Sequence, residues 1–382
     1  MTVANSIKRS RLIVLRNAFL NGRKLIIDRY IIREIVKPTV TICTALIFIY
    51  GCFIGTRYLS DAVSGQLPGS VVIILILLRI TVSLEVLLPT TLYLSVIIAM
   101  GRLYKDYEMT ALFACGVSLS RVLRPVFFTS LVIALVVSSL SLYIRPWAYS
   151  QFFRIKAQAK ANFDLTRMKG GTFYEIDNGS RVIFADTVDQ EQVQARNVFI
   201  RTERDDGLQV IQARLADQHT DKLTGNHILV FTDGYLQEFS RFGKAGHVIE
   251  FEQSAMPLIP KDGNLLDYKI KAASSRFLAY SDKNEEIAEF QWRISTPLAT
   301  ILLALLGVPL SRSSPRRGKY AKVMTAVLII FVYHNLGAMA KKLVAQGFLG
   351  TLPGIWWVQI LLAGLLLLLL WQSTMGFRWR IR

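Results

Sequence analysis

The sequence predicts an α-helical membrane protein of six transmembrane helices, with an all-β domain inserted between helices three and four. Three observations predict it. Six stretches of the 382-residue chain, which is 52% hydrophobic overall, are apolar over a length that can cross a hydrocarbon core, which takes roughly 20 residues per helix. A long, mostly polar block, residues 146–292, divides them three and three. That block is rich in short β-branched and aromatic runs set between turn residues, the pattern of strands.

Charge agrees with this division. The net charge is +18, but residues 146–292 hold 18 Lys/Arg against 21 Asp/Glu, whereas the rest of the chain holds 27 against 6. The basicity therefore belongs to the membrane part, where Lys and Arg mark cytoplasmic loops, and does not indicate nucleic acid. Lys8 to Lys37 precede the first span, Arg102, Lys105, Arg121 and Arg124 follow the second, and Arg312, Arg316, Arg317, Lys319 and Lys322 follow the fourth. The tail ends Arg378, Arg380, Arg382. With six spans these segments share one side, so both termini are expected in the cytoplasm and the β domain beyond the inner leaflet. Lys341 and Lys342 are exceptions on the outer side. No removable signal peptide is expected ahead of the first span. The cysteines Cys43, Cys52 and Cys115 form no metal-binding pair.

In chain order, residues 1–37 form a basic cytoplasmic N-terminus. Within it, 24–37 carry the apolar stripe Ile27, Tyr30, Ile31, Ile35 at helical spacing and read as an interfacial amphipathic helix, the plainer alternative being an ordinary positive-inside anchor. Residues 38–145 hold spans one to three (38–57, within 69–100, and 122–145), with a short cytoplasmic helix at about 102–117. Residues 146–292 are the β domain with helical connectors at 150–162 and 281–292. Residues 293–382 hold spans four to six (294–311, 322–342, 354–374) and a short basic tail. Span two is longer than a bilayer demands, so it either projects beyond the outer face or is kinked near Pro89, where the ring removes a backbone donor. Arg79 and Glu85 lie in the same span, six residues apart and so on different faces of a straight helix.

Seven runs in the middle block read as strands: 172–176, 181–185, 197–201, 208–214, 227–232, 235–239 and 247–251. Turn clusters such as Asp205-Asp206-Gly207 and Asp233-Gly234 separate them. Strands at this spacing predict an antiparallel meander, sandwich or open barrel.

No nucleotide-binding GxxxxGK[ST] loop, HExxH pair or GxSxG elbow occurs in the chain. It is therefore expected to be non-catalytic and to bind no cofactor itself. Two features suggest work. In the loop 101–121, residues 104–114 can form about three helical turns that put Tyr104, Glu108 and Leu112 on one face. A docking helix for a cytoplasmic partner and a plain connecting loop stand level there. Arg57, Arg145, Lys341 and Lys342 lie at outer span ends. Cations there ordinarily snorkel to the headgroups, but facing a shared cavity they would suit an anionic lipid headgroup.

Several strings carry a resemblance: RYIIREIVKP (29–38), LLPTTLYLSVIIAMGRLYKDYEMTALFACGVS (87–118), AKANF (159–163) and EFQWRISTPLATILLALLGVPLSRSSPRRGK (289–319). On these the chain resembles the LptF/LptG permease family of the lipopolysaccharide exporter, from about residue 28 onward and closer to the F type. The resemblance implies an inner-membrane permease subunit of an ABC transporter that extracts lipopolysaccharide and passes it on for export to the outer membrane. It implies a paralogous G-type subunit that shares a V-shaped cavity, and a separate cytoplasmic ATPase dimer that uses ATP and Mg. It also implies a periplasmic bridge protein with a single transmembrane helix and a jellyroll, matching a β-jellyroll here. In the family the helix between spans two and three enters a groove of the ATPase, and its acidic residue matches Glu108. Arg57 matches a basic cavity position. Phe173, Ile183, Phe199, Ile211, Leu229 and Phe251 are expected to face inward along the strands, as an acyl-chain path or as an ordinary core; these stand level. The rival to transport is a membrane-anchored scaffold or receptor whose β domain recruits periplasmic partners; a membrane enzyme acting on lipid is a weaker third.

Overall fold

The computed structural model describes residues 2–63, 68–161, 170–176, 181–189, 194–204, 207–220, 227–240, 247–257, 270–312 and 319–378, with side chains over 26–63, 68–156, 170–174, 181–189, 194–203, 207–217, 228–239, 247–255, 270–312 and 323–373. The chain forms two compact units. One comprises Met1–Tyr50, Ile80–Ala148 and Ile270–Arg382, and the other Gly51–Arg79 and Tyr149–Lys269.

Nine α-helices are described: α1 (Thr2–Val63), α2 (Gly69–Lys105), α3 (Glu108–Ala114), α4 (Leu119–Ser139), α5 (Arg145–Ala161), α6 (Ser275–Ala279), α7 (Asn284–Ser311), α8 (Lys319–Ala345) and α9 (Trp356–Arg378). Among the described residues, six segments are long and apolar enough to cross a membrane: Ile26–Val63, Gly69–Lys105, Leu119–Lys156, Asn284–Ser311, Val323–Ala345 and Trp356–Ser373. The 24–37 segment is not a separate helix but part of α1, with Pro38 inside it. Two residues of its stripe are covered by protein: Ile31 and Ile35 pack with Leu92, Val96, Met100, Met109, Val122 and Val126, whereas Tyr30 stays exposed. α2 likewise runs unbroken through Pro89.

α7 is the hub of the first unit. Half of its most apolar window is buried, against 17–28% in the other five segments. It packs on α4, α8 and α9. Small residues let neighbours approach, the usual device where helices associate in lipid. Ala299 and Ala304 are buried, and a methyl on Gly307 would lie 2.9 Å from Cγ1 of Val96. A feature that the sequence did not suggest joins α4 to α5: a π-helical turn, Leu140–Ile144. Such turns widen the backbone spiral and recur at functional positions.

In the second unit, residues of the middle block form one antiparallel sheet. Its strands are β1 (Thr172–Ile176), β2 (Arg181–Asp189), β3 (Gln194–Arg204), β4 (Gly207–Thr220), β5 (His227–Ser240) and β6 (His247–Pro257), in sequential order. The pairing is that of a meander. The expected strands 227–232 and 235–239 are a single strand, so Asp233-Gly234 is not a turn between them.

Those two residues belong to a crease. The ladders skip Asp186, Asn197, Arg214, Asp233 and Glu252, one residue in each of β2 to β6, and resume in the same register. Asn197 and Asp233 adopt left-handed φ of 50° and 53°, which Asn and Asp tolerate better than other residues with side chains. Core-facing positions change parity across the line: the buried Ile183 and Ala185 give way to the partly buried Val188, Ile211 and Ala213 to the buried Ala216, and Leu229 and Phe231 to the partly buried Leu236. One unpaired residue in each strand, set opposite one in its neighbour, shifts the side-chain alternation by one, so that residues on both sides of the line face one core. Gly234 sits where the strands come closest. A Cβ there would meet the carbonyl oxygen of Gln212, and lie 2.8 Å from Cζ of Phe251.

Candidate functional site

Two polar constellations stand out in the helical unit. The first lies where α3 meets α1. α2 ends at Lys105, and Tyr107, at φ 60°, breaks the helix before Glu108 opens α3. The three-turn helix expected over 104–114 is therefore two pieces, and the common face of Tyr104, Glu108 and Leu112 is lost. Tyr104 and Leu112 pack against the apolar cluster around the wholly buried Met109. Glu108 goes elsewhere: the Tyr30 hydroxyl donates to its Oε2 at 2.6 Å. Arg102 pairs with Glu34 at 2.9 Å and lies 3.9 Å from Asp106. Its other contact here is to the Tyr30 hydroxyl, to which Nη2 donates at 3.4 Å. Arg121 pairs with Asp28 at 3.0 Å.

The second constellation is a buried ionic network. Nη1 of Arg145 donates to both carboxylate oxygens of Glu85 at 2.9 Å. Its Nη2 lies 3.0 Å from Oε1 of Glu289. Arg293 reaches that same oxygen at 3.2 Å, and Lys341 pairs with Oε2. Glu85, Glu289 and Arg293 are 0–2% exposed and Arg145 6%, so each charge depends on its partners. Ser141, on the π-helical turn, donates to Glu85 at 3.0 Å, and Ser275 donates to the carbonyl of Leu142 in that turn at 2.6 Å. Arg293 also donates to the carbonyls of Ala273 and Lys271 and to the Ser275 hydroxyl, at 2.9, 3.0 and 2.9 Å. Its planar fork of donors suits such convergent acceptors. One arginine thus fastens the segment entering α6 onto α7.

This network corrects part of the headgroup expectation. Arg145 is enclosed by two carboxylates instead of lining an open surface, and Lys341 is engaged by Glu289 and lies 5.5 Å over the ring of Trp292. The physical reason is that Glu85 and Glu289, distant in sequence, are brought to them by helix packing. Arg57 and Lys342 are exposed. Glu85 indeed pairs across helices and not with Arg79. In the second unit Arg79 donates from Nε to the Tyr58 hydroxyl at 3.1 Å and lies 4.4 Å over the ring of Phe152, a cation–π arrangement. Sequence reasoning missed Glu289 and Arg293. Their i,i+4 spacing at the start of an apolar span was the available signal.

On the sheet, Ile183, Ile211 and Leu229 are buried on the core face, with Phe251 packed against them. Phe173 and Phe199 are corrections. Both pair with Phe184, beside the buried Ile183, and so lie on the opposite face. Phe173 is 64% exposed there and its ring centroid is 4.6 Å from that of Phe184. The physical reason is parity: Tyr174 and Ile200, each next to one of these phenylalanines along its strand, pair with Ile183 and take the core face. Among the described residues no group of His, Cys, Asp and Glu could hold a metal ion.

Comparison with known proteins agrees with this architecture. The profile of the lipopolysaccharide export system permease LptF/LptG family matches residues 29–372. The chain is 27% identical over 360 residues to the lipopolysaccharide export system permease protein LptF of Escherichia coli K12, covering 92% of this chain and 96% of that protein. The LptF proteins of Escherichia coli O157:H7 and Shigella flexneri align with the same identity and coverage. A match over nearly the whole chain, both membrane halves and the inserted sheet included, places this multi-pass inner-membrane protein in the family of lipopolysaccharide export permeases LptF/LptG.

Proposed function

We propose that the chain is the F-type transmembrane subunit of a lipopolysaccharide exporter, drawing lipid from the inner membrane and passing it to a periplasmic bridge protein. A paralogous G-type subunit completes the path and a separate cytoplasmic ATPase dimer supplies the work from ATP and Mg. Both termini lie in the cytoplasm and the β domain in the periplasm. The observation that carries the reading is the family match across residues 29–372, taken with the basic segments at one set of span ends.

The chemistry of the cargo dictates the division of labour. Each acyl CH₂ brought into water costs about 0.8 kcal/mol, so a multi-acylated lipid needs apolar cover along its route and an outside source of energy. The core face of the creased sheet, with Ile183, Ile211, Leu229 and Phe251, is the apolar cover that this chain offers. Arg57 and Lys342, both exposed, are the cations suited to the anionic headgroup. Arg145 and Lys341 act instead by holding the helices that frame the path. Glu108 receives the ATPase: a carboxylate that opens the short helix α3 can pair with a basic group in a partner's groove.

The test is Glu108→Ala in the reconstituted complex of this chain, its paralogue and the ATPase. Assembly persists, ATP hydrolysis continues, and lipopolysaccharide released per ATP falls at least tenfold. Unchanged export per ATP would sink the coupling role and favour a scaffold that recruits without transporting.

A further inference from the structure

Only six acidic residues lie outside residues 146–292, and four of them, Asp28, Glu34, Asp106 and Glu108, occur in and beside the corner formed by α1, the end of α2 and α3. In so basic a membrane part, that concentration suits a basic partner surface. The four are not equivalent. Asp28 takes Arg121, and Glu34 and Asp106 share Arg102. Among the described residues, Glu108 has a neutral partner instead, the Tyr30 hydroxyl at 2.6 Å. That hydroxyl in turn accepts from Arg102 at 3.4 Å. A hydrogen bond from a phenol orients a carboxylate without cancelling its charge. It occupies Oε2 and leaves Oε1 for a cation from outside the chain.

We propose that Tyr30 is the positioning residue for the coupling carboxylate, holding Glu108 in one orientation for a basic group of the ATPase and tying the docking of α3 to α1. This rests on the coupling reading of Glu108. The surrounding packing supports the tie: Met109 of α3 and Ile31 and Ile35 of α1 share one apolar cluster, so the hydrogen bond is set within a solid contact. Tyr30 itself is 37% exposed, so loss of its hydroxyl leaves no buried polar group stranded.

The experiment compares Tyr30→Phe, Glu108→Ala and the double variant in the reconstituted complex, reading assembly, ATP hydrolysis and lipopolysaccharide released per ATP. Tyr30→Phe keeps the ring and assembles. Its ATP hydrolysis matches wild type, and its export per ATP falls about fivefold, the effect of about one hydrogen bond. Because Tyr30 acts through Glu108, the double variant exports no less than Glu108→Ala alone. Wild-type export by Tyr30→Phe, with Glu108→Ala uncoupled, would overturn the role of Tyr30 and leave the coupling reading intact. An additive double variant would overturn it too. A silent Glu108→Ala would remove both. If Tyr30→Phe assembles poorly, 3-fluorotyrosine at position 30, a near-isosteric ring with a stronger donor, must shift export per ATP without altering assembly; no shift overturns the proposal.

Discussion

Glu289 is the residue on which the helical unit converges. One carboxylate meets Arg145, Arg293 and Lys341, contributed by α5, α7 and α8. Buried ion pairs contribute little net stability compared with well-packed apolar groups, but removing one member leaves the others uncompensated, at a cost of about 3–5 kcal/mol. Glu289→Ala is therefore expected to lower the thermal midpoint of the detergent-purified complex sharply. Lys342→Ala, on an exposed side chain one residue from Lys341, should change stability by no more than about 0.5 kcal/mol. Equal midpoints for the two variants would show that the network is not a clamp. Arg293 extends the same logic to the backbone: its contacts to the carbonyls of Ala273 and Lys271 satisfy acceptors in the segment just ahead of α6.

At the scale of elements, the crease decides the character of the sheet. A straight meander of six strands would present one flat apolar face and an alternation of constant parity. The skipped residues Asp186, Asn197, Arg214, Asp233 and Glu252 bend every strand from β2 to β6 along a common line. Gly234 is essential to that line because the neighbouring strand and Phe251 leave no room for a methyl. Gly234→Ala should therefore cost about 3 kcal/mol or more and render the sheet sensitive to limited proteolysis in the full-length chain. Gly364→Ala, where a Cβ meets nothing within 4 Å in a helix, should leave the cleavage pattern unchanged or improve stability. Proteolytic resistance of Gly234→Ala equal to wild type would contradict the close approach. The same element-scale view explains α3. Its seven residues are too few to persist alone; Met109 and Leu112 hold it against α1 and α2.

For the whole molecule, the two faces of the sheet separate transport from mere packing. Photo-crosslinking residues at Ile183, Ile211 and Leu229 on the core face, and at Phe173 and Phe184 on the other, distinguish them during active export. Lipopolysaccharide adducts at the first set and none at the second are expected. Adducts at neither set would leave the core face with a purely structural role, and the lipid would travel along another surface. Adducts confined to Phe173 and Phe184 would move the path to the outer aromatic row.

Much of this organisation was legible in the order of residues. Span length, the polar block and the basic segments specify six crossings and an inserted sheet, because hydrophobic length and period-two alternation are local properties. Glu108 stood out for the same reason, as a carboxylate in a short segment between two spans. What the chain order could not contain is which distant charges meet. Arg145 looked like a cation at a span end until packing set it between Glu85 and Glu289, and Asp233-Gly234 looked like a turn until five strands creased together. Charge pairing across helices and facing across a bent sheet depend on three-dimensional proximity, which only the tertiary structure decides.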